Sequence, residues 1–317
     1  MIAAVLIKPQ LFELRQTTIP LLKVDEIKIK VEGCGICASS IPVWEGREWF
    51  HYPLEPGSPG HESWGIVEEV GEEIEKVKTG DRVAFLSYHA YAAYDITKEN
   101  ALVKLPQALN NKPFPGEPLG CAINIFNRSD ISKDDVVAII GIGFLGALLC
   151  QLAKNRGAKV IAISRRPYSL GFAEKYGADE IVELTSTWEV TNKVSEITDK
   201  ALCSRVIEAT GKQEGIDVAT EIIGEGGKMI IAGYHQDGLR QVNLQKWNWK
   251  GIDVINAHER DALKYLSGMQ LAVNAVMEGV MDSDLLFTHI LPLEDLSKGF
   301  EMTRSRPDGF MKALIQL

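Results

Sequence analysis

The sequence predicts an α/β protein in which a doubly wound parallel sheet follows a β-rich region, and two observations carry that prediction. Between Val136 and Arg166, the apolar run VVAII passes through GIGFLG into a segment with Leu145, Leu148, Leu149 and Leu152 on one stripe. Gly157, KVIAI and SRR follow. The hydrophobic period switches from strand to helix at the glycines, which is a βαβ unit. The texture also changes along the chain. Residues 1 to about 105 read as short alternating strands, whereas strands and helices alternate with short connections from Val136 onward.

Taken in order, MIAAVLIKPQLFELRQ reads as two short strands around Lys8-Pro9, and its apolar run is too short for a signal or membrane segment. Glu26–Glu32 alternates Ile27, Ile29 and Val31 with Lys28, Lys30 and Glu32, the pattern of a half-buried antiparallel strand. Gly65–Val70 and Arg82–Phe85 repeat it, with turns at Gly71 and at Thr79-Gly80-Asp81. After the βαβ unit the pattern predicts a helix over Ser169–Tyr176, strands over Ile181–Glu183 and Arg205–Ala209, a helix over Ile216–Ile223, and a strand over Lys228–Ala232 ending at Gly233. A last long helix near Ala262–Val280 carries Leu266, Met269, Val273, Val276 and Val280 as a core stripe. LPLEDLSKGF reads as a capped helix and FMKALIQL as a final strand that rejoins the N-terminal β region.

A length of 317 residues accommodates two domains, and 45% hydrophobic with 24% charged residues is an ordinary globular composition. A net charge of −9 without basic clusters predicts no nucleic-acid or membrane partner. Five scattered cysteines, an odd number, argue against a disulfide framework and for a reducing cytoplasm.

In the glycine turn, Gly141 allows the tight turn. Gly143 allows a pyrophosphate to approach backbone N–H groups at the helix N-terminus, and Gly146 allows close packing of helix on strand. With its strand before and its helix after, this turn predicts dinucleotide binding, with Phe144 and Leu145 completing the loop. An acid at the end of the second strand would accept hydrogen bonds from a ribose 2′-OH. Ser164 occupies that place, and Arg165 and Arg166 follow with donors suited to a 2′-phosphate, so the expected cofactor is NADP(H). Cys34 and Cys37 form a lone CxxC. Without a second CxxC, the better arithmetic combines one thiolate with a distant imidazole and a carboxylate, because a catalytic zinc keeps three protein ligands and one open position.

Eight segments, GICASS (35–40), GHE (60–62), GIVEEVG (65–71), KTGDRVA (78–84), EPLGCA (117–122), GIGFLG (141–146), EATG (208–211) and GEGGKMIIAG (224–233), occur in an order that resembles the medium-chain dehydrogenase/reductase superfamily, in its zinc-dependent alcohol dehydrogenase-like branch. The resemblance implies a GroES-like catalytic domain over 1–117, completed by 255–317, and an inserted Rossmann domain over 118–254, with the active site in the cleft between them. It selects Cys37, His61 and Glu117 as ligands of one catalytic zinc and makes Cys34 a buried thiol. Glu62 becomes the adjacent acid, able to hydrogen-bond the metal water or to replace it as a ligand in place of Glu117, and Ser39 the hydroxyl that passes a proton to the cofactor ribose. Cys121 would line the nicotinamide pocket, and Thr210 and Gly233 would contact the cofactor. In two places the chain departs from the family: Ser40 stands where an aspartate commonly orients the ligand histidine, and Pro42 where a histidine ends the proton relay. The four-cysteine structural-zinc lobe expected between Phe85 and Tyr91 is missing, so one zinc is expected, not two.

The implied chemistry is Lewis-acid catalysis, in which the metal lowers the pKa of an alcohol while hydride passes to the nicotinamide. Trp44, Trp49, Phe50 and Tyr52 lie between the ligand segments and suggest a bulky or ring-bearing substrate, a secondary alcohol or its ketone. The competing readings are a zinc-free quinone or enoyl reductase of the same superfamily and a non-catalytic NADPH-binding protein. A homodimer or homotetramer is expected, joined through the sheet edge near Trp249–Ala257.

Overall fold

The structure is a computed structural model that describes residues 1–19 and 21–317. The chain divides into two compact units. Unit 1 comprises Met1–Gly120, Asp261–Met277 and Ser283–Leu317, and unit 2 comprises Cys121–Arg260 and Glu278–Asp282.

In chain order, β1 (Ile2–Lys8) and β2 (Leu11–Gln16) are followed by β3 (Glu26–Gly35), α1 (Ile41–Glu45), β4 (Glu62–Val70), β5 (Arg82–Phe85), β6 (Tyr94–Lys98), β7 (Leu102–Lys104) and α2 (Gly116–Ser129). Then come β8 (Val136–Ile140), α3 (Phe144–Asn155), β9 (Lys159–Ser164), α4 (Pro167–Lys175), β10 (Glu180–Glu183), α5 (Thr187–Ile197), β11 (Cys203–Glu208), α6 (Gln213–Ile222), β12 (Ile223–Ile231), α7 (Leu244–Lys250) and β13 (Asp253–Asn256). The chain closes with α8 (Ala262–Met277), β14 (His289–Pro292), α9 (Leu296–Ser305) and β15 (Ala313–Gln316). Among the described residues no helix is long and apolar enough to cross a membrane.

In unit 1, β1 and β2 form an antiparallel hairpin. The main sheet runs β14-β15-β3-β4-β5-β7, with β6 also paired to β3. The alternation in β3 is the alternation of its faces: Ile27, Ile29 and Val31 are buried while Lys30 is exposed. They pack with Val67, Val83, Phe85, Tyr91 and Phe300 in one core. The final strand β15 pairs antiparallel with β3, Leu314 opposite Gly35 and Ile315 opposite Cys34. The last segment of the chain therefore lies beside the CGIC segment.

Unit 2 is built on a parallel sheet in the order β10-β9-β8-β11-β12-β13. Its central strands β8 and β9 are buried almost throughout, which is why their sequences are continuous apolar runs instead of alternating ones. Two helices here have only a thin apolar stripe. α5 meets the core through Val190, Val194 and the partly buried Ile197, and α7 through the partly buried Trp247. Both carry cap signals nonetheless. Ser186 Oγ accepts from Glu189 N–H at 3.2 Å in an S-x-x-E box, and Asn243 Oδ1 accepts from Lys246 N–H at 3.0 Å, with Gly251 ending α7 in the left-handed conformation.

At the carboxyl end of β11, Glu208 is fully buried and holds together two loops of this unit. Its Oε1 accepts from the N–H groups of Thr210 (2.7 Å) and Gly211 (3.0 Å), and its Oε2 lies 2.8 Å from His235 Nε2. Arg240 Nε donates to His235 Nδ1 at 2.9 Å. Because an arginine can only donate, Nδ1 must present its lone pair, so Nε2 carries the proton toward Glu208 and the imidazole is neutral. Gly233 has no side chain because a Cβ there would stand 2.3 Å from Gly211 N and 2.5 Å from Glu208 Oε2. His235→Ala leaves a buried carboxylate oxygen without its donor and is expected to cost about 1–3 kcal/mol in urea unfolding, with His235→Gln recovering part of it. Equal stabilities for wild type and alanine variant would mean that the network does not hold the loops.

Candidate active site

In unit 1 two of the three residues predicted to bind metal, Cys37 and His61, come from two loops beside the β3–β4 pair, whereas the third, Glu117, lies in the first turn of α2. β3 ends at Gly35, and Cys37 follows at the start of a short 3₁₀ turn. His61 immediately precedes β4, and Glu62 is that strand's first residue. Strand pairing sets Gly35 opposite Glu62, so the ladder brings the two segments together. Donor atoms of Cys37, His61 and Glu62 lie within 4.8 Å of one another. His61 Nδ1 is 2.9 Å from the carbonyl oxygen of Pro59. A carbonyl only accepts, so Nδ1 carries the proton and Nε2 is the nitrogen left for a metal. The main-chain carbonyl of Pro59 thus orients the imidazole, the role that an aspartate in place of Ser40 would take. Ser40 itself is buried, and its Oγ has no hydrogen-bond partner.

Tyr88 stacks on His61 with ring centroids 5.8 Å apart and planes 11° apart, fixing the imidazole from its face. Burial disfavours the imidazolium of His61. The hydrogen bond and charge of Cys37 outweigh it, joined by the charges of Glu117 and then Glu62, and hold the group up to about 10. A metal ion seated there displaces that proton. Ser39 Oγ donates to Cys37 Sγ at 3.1 Å. A thiolate, an imidazole and carboxylates form a donor set suited to zinc, and the environment already favours positive charge, so the residues fit the ion.

Glu62 is fully buried and would be costly alone. Lys312, buried on β15's side of the sheet, donates to its Oε1 at 2.6 Å. The same nitrogen lies 2.5 Å from Oε2, but off the hydrogen-bond direction, so Oε2 makes a charge contact without a donor of its own. That oxygen stands 2.0 Å from where a Cβ on Gly35 would be, which is why residue 35 is a glycine. Glu117, in the first turn of α2, acts on His61 through its charge and lies outside the three-residue group. Cys34 is buried, with its thiol pushed well up by burial and then by the charge of Glu62.

The aromatic residues between the ligand segments divide. Trp44 is buried against Phe300 at 5.8 Å, and Phe50 and Tyr52 pack on the same core, Tyr52 donating its hydroxyl to Val43 O. Only Trp49, 62% exposed, projects outward, so the cluster supplies little support for a ring-bearing substrate. Pro42 is a buried residue in the first turn of α1.

In unit 2 the glycine turn sits at the carboxyl end of β8. Gly141 has φ +97°, and a Cβ there would be 2.7 Å from Thr210 Cγ2, so the EATG loop lies directly against the turn. A Cβ on Gly146 would be 2.2 Å from Gly141 O. Above Gly143 the space is open, with nothing within 4 Å of a Cβ, and α3 starts there without a side-chain cap. Uncapped N–H groups facing an open cradle fit a pyrophosphate. Phe144 is buried and Leu145 half-buried on the first turn of α3. Ser164 is buried at the end of β9, its Oγ accepting from Arg166 N–H at 3.3 Å. Arg165 pairs with Glu214. Lys312, Tyr88, His235 and Glu214 escape a sequence reading, because their importance depends on partners distant in the chain. Only the KAL run around Lys312, with one charge inside an apolar strand, could have signalled a buried ion.

A family model described as alcohol dehydrogenase GroES-like domain matches residues 23–107, and one described as zinc-binding dehydrogenase matches residues 145–276. The D-arabitol-phosphate dehydrogenase of Enterococcus avium is 27% identical over 92% of this chain and 94% of its own length. The sorbitol dehydrogenase of Halalkalibacterium halodurans is 25% identical, with 88% and 89% covered. The crystal structure of galactitol-1-phosphate dehydrogenase from Escherichia coli shares the fold with a TM-score of 0.86 at 21% identity, covering 100% of both chains. Two family models in register, relatives aligned nearly end to end, and the Cys37–His61 and glycine-turn geometries agree: the chain belongs to the medium-chain dehydrogenase/reductase superfamily, in its alcohol dehydrogenase-like branch.

Proposed function

We propose that the protein is a zinc-dependent oxidoreductase that transfers a hydride between NADP(H) and a secondary alcohol or its ketone. The observation that carries this reading is the convergence of Cys37 and His61, with Glu62 beside them, in unit 1, their donor atoms within 4.8 Å of one another. The same grouping favours it over a zinc-free quinone or enoyl reductase and over a non-catalytic cofactor-binding protein. When bound, zinc supplies Lewis acidity to the alcohol oxygen and the nicotinamide accepts the hydride. The chain's own residues do the rest. Pro59 O and Tyr88 orient the imidazole, and Lys312 holds the Glu62 side chain in place through their ion pair. Ser39, whose Oγ donates to Cys37 Sγ, is the hydroxyl beside the ligands that would take up the proton an alcohol releases. Relatives named for arabitol phosphate and sorbitol support a polyol or its phosphate as the substrate class. In unit 2, Thr210 and Gly233 are the cofactor contacts we assign beyond the glycine loop. Domain boundaries at 1–117, 118–254 and 255–317 are part of the same proposal, as is a reducing cytoplasm, with which five free cysteines agree.

We assign Cys37, His61 and Glu117 as the protein ligands of one zinc per chain, with Glu62 held back by Lys312. Elemental analysis is expected to give a stoichiometry near one. Cys37→Ala and Glu117→Ala should lose the metal and alcohol oxidation together, whereas Glu62→Gln should keep metal and lower turnover. Full zinc in Glu117→Ala with loss in Glu62→Gln would exchange the two acids.

Cofactor choice is tested by kcat/KM for both nicotinamides. NADP(H) should be preferred by the wild type, and Ser164→Asp with Arg165→Ala should swing preference toward NAD(H) without changing metal content, each charge-assisted phosphate contact contributing about 1.5–3 kcal/mol. Equal or better use of NADH by the wild type would refute the assignment.

A homodimer is the assembly we propose, joined edge to edge through β13. That strand ends the parallel sheet, and Val254 and the 86%-exposed Trp249 stand exposed on and beside it. Sedimentation velocity should give twice the chain mass, reduced to one chain by Val254→Lys; a monomeric wild type removes the proposal.

A further inference from the structure

One ion pair of unit 2 crosses the place where the sheet should receive its nucleotide. Arg165 follows the last residue of β9, and Glu214 lies in the first turn of α6, after β11. β9 and β11 are the two neighbours of β8, whose carboxyl end carries the glycine turn. The Arg165 guanidinium donates to Glu214 Oε2, so the pair spans from one side of that turn to the other. In open α/β sheets the crevice at the carboxyl ends of the strands is where a ligand binds. Glu214 is held there by its backbone. A Cβ on the adjacent Gly215 would be 2.4 Å from both Glu208 Oε1 and Thr210 Oγ1, so the first turn of α6 is pressed against the buried Glu208 network.

Stability does not account for the pair. Its side chains are 65% and 31% exposed, and exposed ion pairs contribute little to folding. A guanidinium fork, however, accepts a carboxylate and a phosphate in the same geometry. We propose that Glu214 is a specificity-determining residue that occupies Arg165 as an internal stand-in for the ribose 2′-phosphate. This inference rests on reading Arg165 as a 2′-phosphate donor. NADP(H) must displace the carboxylate and then tolerate its charge nearby, whereas NAD(H) binds without competing for Arg165. Glu214 thereby narrows the preference that Arg165 and Arg166 would otherwise give.

The test is a set of dissociation constants that need no turnover, from energy transfer between the tryptophans and NADPH or NADH, and from calorimetry with adenosine 2′,5′-bisphosphate and with 5′-AMP. Glu214→Gln keeps the size and removes the charge. It should tighten NADPH and the bisphosphate roughly three- to tenfold, with NADH and 5′-AMP changed less than about twofold. The gain should vanish in the Arg165→Ala background, where no guanidinium remains to be released. Unchanged NADPH binding in Glu214→Gln overturns the inference, as does selective weakening of NADH, which would make Glu214 the acceptor of a ribose 2′-OH. Arg165→Ala in the wild-type background separates the two levels. If it leaves NADPH binding intact, the reading of Arg165 as a 2′-phosphate donor fails. If it weakens NADPH while Glu214→Gln changes nothing, only the role of Glu214 fails.

Discussion

A carboxylate and an ammonium buried together, Glu62 and Lys312, hold the far end of the chain against the segment that carries the proposed metal site. Neither charge is tolerable alone in that interior, where an unpaired ion costs several kcal/mol. The pair therefore ties β15 to β4 on either side of β3. Burial disfavours the charge on Lys312, but Glu62 and then Cys37 more than restore it, and the ammonium is held charged above its ordinary range. The glycine at position 35 follows from where Glu62 sits, and the β3–β4 ladder that seats Glu62 opposite Gly35 also brings Cys37 beside His61.

Unit 2 is organised by a second buried carboxylate in a similar way. Glu208 gathers the N–H groups of Thr210 and Gly211 with one oxygen and His235 with the other. Through Thr210 it presses on Gly141, and through Gly215 it fixes the first turn of α6. A network this satisfied rigidifies the loops at the carboxyl ends of the strands, which is what a site for a long, flexible cofactor requires. The exposed Arg165–Glu214 pair sits at its margin, where an ion pair can exchange partners at small cost.

Much of this was legible in the chain. The βαβ unit could be read because strand and helix impose different hydrophobic periods, and the glycines mark where one becomes the other. β3 was equally clear, since alternation survives wherever one face of a sheet meets the core. α5 and α7 were less so, because the stripe of α5 is three residues long, Val190, Val194 and Ile197, α7 meets the core through Trp247, and caps are short signals. The aromatic cluster misled for the opposite reason: Trp44, Phe50 and Tyr52 have the composition of a pocket, yet an aromatic ring fills a core as readily as it lines a cavity.

By itself the sequence determined the two textures, the glycine turn, the thiolate and imidazole suited to a metal, and the arginines after β9, because each is a local pattern of residue types. Tertiary structure alone decided which charges meet. It put Lys312 on Glu62, Pro59 O on His61, His235 on Glu208 and Glu214 on Arg165. Electrostatic partners are chosen by distance in space and by the loss of water around them. A linear order of residues records neither quantity.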